Sequence, residues 1–381
     1  MECINKIQIF RKKTALLLKG VNLTEKTFDS RKLVDFDIDF GRKGGAGPLG
    51  GRYFILSDDS TLVNVPLKDG IHYSSDLELR HLEGPYFNVY DKNYNESFNT
   101  LKLVENPRFY DLKTSDNVPM EKIALVHGID CLASTIYQKC RYWACGEACK
   151  FCGIELSLKQ ETTILEKNSQ QLSEVISAAK RENRCKHITL TTGTVNDEDK
   201  GSKKYIKLLN GIRNNHPDIP IHIQIEPMKD LKYIQLLKEA GADTIGIHIE
   251  LIKESLRKIF TPGKSKIPYM TFEDNWKEAI EVFGKNQVET YLLYGFRKNN
   301  DEFIEDMEAI IALGVIPYIT PVRAIPGKKS LLTVPNQEDL IFIYQKAAKM
   351  MKEFNVNPLE HKAGCVRCGG CSAINEAYMA V

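Results

Sequence analysis

The sequence lacks a marked excess of charge of either sign. Its 52 lysine and arginine residues face 50 aspartate and glutamate residues, so the formal net charge is +2. Proteins that bind nucleic acids or membrane surfaces through general electrostatics usually carry a strong basic excess or a basic block. The charge balance therefore argues against both kinds of partner.

Long apolar segments are also missing. No apolar run approaches the roughly 20 residues that a membrane-spanning helix needs, and residues 1–6 do not show the basic and then apolar order of a secretion signal. We therefore expect a cytoplasmic protein. With 381 residues and 43% hydrophobic content, the chain is long enough for one large or two modest hydrophobic cores.

Ten cysteines are present, and six of them form two closely spaced triplets. In a reducing compartment such triplets indicate metal binding rather than disulfides. The first triplet, Cys145, Cys149 and Cys152, has Cys-x3-Cys-x2-Cys spacing. One short loop can then place three thiolates around an iron–sulfur cube and leave one iron without a protein ligand. An open iron can bind and reduce a small molecule, whereas a cube with four cysteine ligands mainly transfers electrons.

The triplet and the aromatic Phe151 just before its last cysteine resemble the signature of the radical S-adenosylmethionine (radical SAM) superfamily. The resemblance implies that a [4Fe-4S] cluster binds the methionine part of SAM and cleaves it to a 5′-deoxyadenosyl radical. It further implies that Phe151 packs against the adenine and that a donor such as ferredoxin or flavodoxin supplies the electron. From spacing alone, a structural zinc site is the alternative. A ligand set with Cys140 in place of Cys145 also stays open.

After about residue 115, apolar strands alternate with amphipathic helices, which predicts a parallel sheet with helical crossovers. The predicted strands cover residues 123–126, 132–137, 187–190, 221–225, 244–249, 288–293 and 315–319. The predicted helices cover residues 170–181, 203–214, 231–240, 272–283, 301–313 and 339–352. By resemblance, these units suit the partial (β/α)6 TIM-like barrel of the superfamily.

This pattern divides the chain into three predicted regions. Residues 1–115 form an N-terminal β-rich accessory region, which includes a predicted hairpin between 53–56 and 61–65. Residues 116–335 form the barrel. Residues 336–381 form a C-terminal helix followed by a cysteine-rich, cluster-binding tail.

Chemistry in such barrels lies at the carboxyl ends of the strands. The turn after the strand at 187–190 contains Thr192, Gly193 and Thr194. In the superfamily this place commonly carries a Gly-Gly-Glu-like turn that holds the amino group of SAM. The resemblance implies the same role here, although the departure from glycine–glycine–glutamate leaves the individual contacts open.

Two carboxylates, Glu226 and Glu250, follow the next two strands. A carboxylate that enters an apolar barrel interior is costly unless it binds something. We expect both side chains to contact the ribose hydroxyls or amino group of SAM, or the substrate. A strand-end residue that reaches water or a buried partner is the alternative.

The second triplet, Cys365, Cys368 and Cys371, has two successive Cys-x2-Cys spacings softened by glycines. This pattern is typical of ferredoxin-type cluster ligands, and zinc is the alternative. A fourth cysteine in the ferredoxin position is missing. Either a second iron is open, or a distant residue completes the site. The candidates for that residue are Cys3, Cys131, Cys140, Cys185 and His361.

The leading hypothesis is a radical SAM enzyme that abstracts hydrogen from an unidentified small molecule, with an auxiliary iron–sulfur cluster. Sulfur insertion of the biotin or lipoyl synthase type is one alternative, and a non-catalytic zinc, iron–sulfur or electron-transfer protein is another. Several motifs also resemble a radical SAM family that is often encoded beside nitrilases. These motifs cover residues 45–48, 107–112, 191–194 and 363–371.

Overall fold

The computed structural model describes residues 2–23, 51–68, 75–196, 198–296, 299–323 and 335–381. The strands are β1 (Val21–Leu23), β2 (Gly51–Ile55), β3 (Leu62–Lys68), β4 (Leu77–His81), β5 (Tyr86–Asp91), β6 (Glu96–Leu103), β7 (Leu125–His127), β8 (Cys131–Thr135), β9 (His187–Thr191), β10 (Ile221–Ile225), β11 (Thr244–Ile247), β12 (Val288–Tyr294) and β13 (Ile316–Pro321). The helices are α1 (Glu2–Lys19), α2 (Arg141–Ala144), α3 (Ile154–Lys159), α4 (Ser169–Arg181), α5 (Ser202–Asn215), α6 (Lys232–Glu239), α7 (Glu254–Phe260), α8 (Tyr269–Phe283), α9 (Asn300–Ala312), α10 (Gln337–Glu353), α11 (Gly364–Cys368) and α12 (Ile374–Ala380).

The first six strands close into a small barrel in the order β1-β3-β2-β6-β5-β4. Strand β1 closes it because it pairs in parallel with both β3 and β4. Phe54 and Phe87 are fully buried within it and meet edge to face at 6.0 Å. The predicted hairpin is confirmed, since β2 and β3 are antiparallel and Asp58 accepts the backbone N–H of Thr61 at 3.0 Å in the turn. This barrel is the predicted β-rich N-terminal region.

The second sheet has seven strands in the order β13-β12-β11-β10-β9-β8-β7. Strands β8 to β13 are all parallel, and helices follow most of them along the chain. This curled sheet confirms the predicted partial (β/α)6 barrel. The predicted strand 123–126 differs, because it is observed as β7, which pairs antiparallel to β8. Only three residues separate β7 from β8, and a parallel connection needs a dozen or more.

The crossover helices bury their apolar faces against the sheet, as their periodicity predicts. In α8, Phe272 and Trp276 are fully buried, and the indole N–H of Trp276 donates to the carbonyl of Ile247 at 2.9 Å. A capping box between Asn168 and Gln171 begins α4. Each of the six predicted helices begins and ends within about three residues of the ends of an observed helix. Across the described ranges, no helix is both long and apolar enough to cross a membrane.

The C-terminal tail packs against the amino ends of the barrel strands. Helix α11 contacts β9 and β10, and the backbone N–H of Gly364 donates to His187 Nδ1 at 3.1 Å. A Cβ at Gly364 would lie 2.4 Å from the ring of His222, and its φ is 82°. Glycine is therefore required for this close approach. Helix α12 then packs against α1 and α10 and joins the tail to the rest of the protein.

Candidate functional site

One pocket lies at the carboxyl ends of β8, β9, β10 and β11. Its lining brings together eight of the residues predicted from the sequence, namely Cys149, Phe151, Cys152, Thr192, Gly193, Thr194, Glu226 and Glu250. They come from a loop and three strand ends that are distant in sequence. Convergence at the carboxyl edge is the arrangement expected of a barrel active site.

The cysteine loop begins after β8 and contains the short helix α2. Cys149 and Cys152 line the pocket together with Cys140. Cys145 is exposed and lines an adjoining cavity, where its Sγ lies 3.7 Å from a carboxylate oxygen of Glu147. Tyr142 lines both cavities. Cys145 therefore lies in the cavity next to the pocket, not in the pocket with Cys149 and Cys152.

The Thr-Gly-Thr turn supports the start of the cysteine loop. The backbone N–H of Gly193 donates to the carbonyl of Tyr137 at 2.9 Å, and the N–H of Arg141 donates to the carbonyl of Thr194 at 3.0 Å. A Cβ at Gly193 would lie only 2.0 Å from the carbonyl oxygen of Lys139. The turn and the loop can therefore pack this closely only if residue 193 has no side chain.

The carboxylate of Glu226 is buried and only partly satisfied. Its Oε2 accepts the hydroxyl of Tyr142 at 3.2 Å and lies 3.4 Å from Lys200 Nζ. Its Oε1 has no hydrogen-bond partner among the described residues. Leaving a buried acceptor unsatisfied costs about 1–3 kcal/mol, so this oxygen is suited to accept a donor from a bound ligand.

Glu250 has a different environment, because both its oxygens accept from Lys264 Nζ, at 2.7 and 3.0 Å. The same ammonium donates to the carbonyl of His248 at 3.0 Å, which uses its third proton. Burial raises the pKa of Glu250, and the charge of Lys264 partly offsets that rise. Burial alone would lower the pKa of Lys264, but Glu250 and Glu226 outweigh it and the pKa rises.

Phe151 lines the pocket and belongs to a cluster of aromatic rings. Phe151 is half-buried, and its ring centroid lies 6.0 Å from that of Phe296, which follows β12. Phe296 in turn lies 4.1 Å from Phe260 at the end of α7. The cluster provides an apolar surface beside the two pocket cysteines, which suits a flat ring such as a purine.

His248 also lines the pocket and stacks on Tyr291, with the ring centroids 4.2 Å apart. Its Nδ1 accepts the backbone N–H of Tyr291 at 3.2 Å. Burial lowers the pKa of His248 to about 3. The imidazole is therefore neutral near pH 7, with its proton on Nε2.

The C-terminal triplet lies at the opposite end of the barrel strands. Cys365 is buried and accepts from Gln224 Nε2 at 3.5 Å, and Gln224 also lines the pocket. Cys371 Sγ lies 3.8 Å from the hydroxyl of Tyr53 in the accessory barrel. Cys368 Sγ lies 3.9 Å from the carbonyl of His127. The triplet is thus enclosed between the two barrels. The side chain of Gln224 lies between the triplet and the pocket.

Two pocket lysines, Lys200 and Lys264, were not predicted from the sequence; they follow β9 and β11 along the chain. Both are buried and pair with the predicted carboxylates Glu226 and Glu250. The predicted carboxylates give an indirect indication of these lysines, because a buried carboxylate requires a nearby cation when no ligand is bound. Neither partner could be chosen from the sequence, because the chain has many lysines in loops.

The donor set fits an iron–sulfur cluster better than a single ion. Within the described residues, no three His, Cys, Asp or Glu side chains converge closely enough to hold one metal ion. Cys149 and Cys152 in the pocket, Cys145 in the adjoining cavity and the unsatisfied oxygen of Glu226 are the donors that would hold a cluster with an open iron and its amino-bearing ligand.

Comparison with known families agrees with this site. Residues 143–310 match the model of the Radical SAM superfamily, so this part of the chain is similar to a radical SAM domain. Such a domain implies an enzyme that uses a [4Fe-4S] cluster and SAM for radical chemistry. The matched range includes Cys145, Cys149 and Cys152 and begins after Cys140.

Three solved structures illustrate the structural likeness. Methylornithine synthase (PylB) matches with a TM-score of 0.46 and 13% identity, over 66% of this chain and 70% of that chain. The FeFe-hydrogenase maturase HydG from Carboxydothermus hydrogenoformans matches at 0.44 and 17%, over 60% of this chain and 53% of that chain. A radical SAM methyltransferase from Sphaerobacter thermophilus matches with a TM-score of 0.45 and 10% identity, over 74% of this chain and 75% of that chain. The chain thus spans about half the length of HydG. No curated protein matches the sequence.

Proposed function

We propose that this protein is a radical SAM enzyme that removes hydrogen from a small-molecule substrate. Cys145, Cys149 and Cys152 would hold its [4Fe-4S] cluster. The observation that supports the proposal is the single pocket in which two of these cysteines, Phe151 and the free oxygen of Glu226 meet. When bound, the cluster and SAM supply a 5′-deoxyadenosyl radical.

The residues of the pocket would hold SAM in a defined orientation. Glu226 Oε1 would accept from its amino group or a ribose hydroxyl, because this oxygen is the buried acceptor left without a partner. Phe151 and Phe296 would cover the adenine. Glu250 would act through Lys264 rather than contact SAM, because both its oxygens already accept from that ammonium.

Cleavage of SAM by the purified protein tests this function. Anaerobic full-length protein, supplied with dithionite and SAM, is expected to release 5′-deoxyadenosine. Cys149→Ala is expected to reduce the release to the level of a protein-free sample, because a three-cysteine site cannot spare a ligand. Cys185→Ala is the matched control, since Cys185 is a buried thiol outside the pocket and should leave the rate unchanged.

The same assay chooses between the two possible ligand sets. The range of the family match favours Cys145 over Cys140. Cys145→Ala should therefore abolish release, whereas Cys140→Ala should retain it. The reverse result would assign Cys140 as the third ligand and leave the function intact. Release by both Cys145→Ala and Cys149→Ala would overturn the proposed function.

We further propose an auxiliary cluster at Cys365, Cys368 and Cys371. Its support is the burial of Cys365, the partial burial of Cys368 and Cys371, and the contact of Cys365 with Gln224, which also lines the pocket. This proximity supports sulfur insertion as a second candidate reaction. Acid-labile sulfide measured before and after turnover separates the candidates, because insertion consumes auxiliary sulfide and hydrogen abstraction alone does not.

The remaining parts of the proposal concern partners and location. A ferredoxin or flavodoxin would supply the electron, and the cytoplasm would be the compartment in which the thiols stay reduced. Metal analysis tests the non-catalytic alternative, since zinc without sulfide would indicate a structural module. Roughly eight irons and eight sulfides per chain would indicate two four-iron clusters.

A further inference from the structure

The cysteine that opens β8, Cys131, lies beside the C-terminal triplet. Its side chain is buried, and its cross-strand partner in β7 is His127. The carbonyl of His127 lies 3.9 Å from Cys368 Sγ, and a Cβ on the next residue, Gly128, would lie 3.4 Å from the same sulfur. On its other side Cys131 pairs with His187 of β9, whose Nδ1 accepts the backbone N–H of Gly364, next to Cys365, at 3.1 Å. The hairpin of β7 and β8 thus brings a fourth sulfur to the triplet.

We propose that Cys131, Cys365, Cys368 and Cys371 together ligate the auxiliary cluster. This inference rests on the second cluster of the proposed function and names its missing ligand. Four cysteines complete the usual ligand set of a four-iron cluster and leave no iron open. The auxiliary centre would then transfer electrons rather than anchor the substrate on a free iron.

The other candidates for a fourth ligand that the structure describes have contacts of their own. Cys140 lines the SAM pocket with Cys149 and Cys152. The sulfur of Cys185 lies 4.0 Å from the carbonyl of His187. His361 uses Nδ1 to contact the carbonyl of Asn286 at 2.7 Å, and its ring packs against His222. The side chain of Cys3 lies outside the described residues.

The surroundings of the four sulfurs suit a buried anionic cluster. Lys13 is fully buried; its Nζ donates to the carbonyl of Gly369 in the triplet loop at 2.9 Å and also pairs with Glu376 at 2.8 Å. The guanidinium of Arg323 lies near Cys371 and partly offsets the rise that burial causes in the pKa of that thiol. Cations and hydrogen bonds to sulfur stabilise such a centre in an apolar interior.

Iron binding by a protein without the first cluster isolates the second site. The background for this test is the full chain with Cys145→Ala, Cys149→Ala and Cys152→Ala, reconstituted anaerobically with iron and sulfide. It is expected to hold roughly four irons and four sulfides per chain, with a cluster absorption and electron paramagnetic resonance spectrum. Adding Cys131→Ser should lower the iron content by at least about half and change the spectrum, because one of the four ligands is lost.

Cys185→Ser in the same background is the matched control, because it also removes one buried thiol. It should retain the iron and the spectrum. Equal iron and an identical spectrum after Cys131→Ser would overturn the assignment of Cys131. If the background protein bound neither iron nor sulfide, the proposal of an auxiliary cluster would be wrong as a whole. SAM cleavage by the unmodified protein would still test the first site separately.

A measurement on the unmodified protein covers the case in which Cys131→Ser does not fold. Reconstituted protein is alkylated with iodoacetamide before and after a chelator strips the iron, and each cysteine is read by mass spectrometry. Alkylation of Cys131 should rise together with that of Cys365, Cys368 and Cys371, while Cys185 should not change. A rise in the triplet without a rise at Cys131 would overturn the assignment.

Discussion

At the scale of single residues, the two buried carboxylates of the pocket differ in how their charge is balanced. Glu250 has a φ of 58°, and it is held by two contacts from Lys264. Glu226 shares one oxygen between Tyr142 and Lys200 and keeps the other free. Glu250 is therefore held in an ion pair, whereas Glu226 keeps one buried acceptor that the proposed ligand could use.

Removal of the cation from the buried pair is expected to destabilise the fold. Lys264→Met leaves the Glu250 carboxylate buried without its partner, and such a loss costs about 3–5 kcal/mol. Both side chains are only 11% exposed, so water does not replace the lost contact. The measurement is the urea midpoint of unfolding, followed by circular dichroism.

The exposed pair Lys258 and Glu254 provides the control, since its side chains are 66% and 68% exposed. Lys258→Met should leave the midpoint unchanged because exposed pairs contribute little. The double variant Lys264→Met with Glu250→Gln should recover part of the lost stability. A single Lys264→Met variant as stable as Lys258→Met would show that the buried pair does not support the pocket.

At the scale of elements, the turn after β9 fixes the position of the cysteine loop. Gly193→Ala would place a methyl group 2.0 Å from the carbonyl of Lys139, which is backbone and cannot rotate away. The loop must then shift. We expect release of 5′-deoxyadenosine to fall by roughly 10- to 100-fold, as when other supports of metal ligands are lost. The iron content of the first site should fall with it.

Gly84→Ala is the comparison for this change, because Gly84 has open space around its Cα and lies in the accessory barrel. Its φ of 51° makes alanine somewhat strained there, but SAM cleavage should be unaffected. Unchanged cleavage and iron content in Gly193→Ala would mean that the loop tolerates the displacement. The turn would then have no role in positioning the ligands.

Elements with long periodic sequences could be predicted, and short ones could not. Helices such as α4 and α5 carry three or more turns of apolar spacing, which is a local signal. Helices α2 and α11 have four and five residues, too few to show a period. The direction of β7 also depends on its connection rather than on its own residues.

At the scale of the whole molecule, buried histidines should make the fold sensitive to acid. Burial lowers the pKa of His187 and of His248 to about 3 each, below the value near 6.5 of an unfolded chain. Between these values the unfolded chain binds protons that the folded protein does not. Stability should therefore fall as the pH falls below about 6.5, by about 1.4 kcal/mol per pH unit for each histidine.

The measurement is the melting temperature of the unmodified protein from about pH 8 to about pH 4.5, across the titration range of an unfolded histidine. His187→Gln should reduce the slope at acidic pH, because it removes one group that takes up a proton on unfolding. His187 Nε2 lies 3.8 Å from Asp130, so that carboxylate must be included in the analysis. An equal slope with and without His187 would contradict the prediction.

The sequence alone determined the alternation of strands and helices, the first cysteine triplet with Phe151, and the expectation that Glu226 and Glu250 lie at strand ends. These signals are local, because periodicity and spacing act within a few turns of chain. Only the tertiary structure decided the partners of those residues. The path of the chain after β11 brought Lys264 to Glu250, and insertion of the tail brought Cys368 to the hairpin that carries Cys131. Neither proximity follows a periodic spacing, so neither leaves a pattern in the sequence.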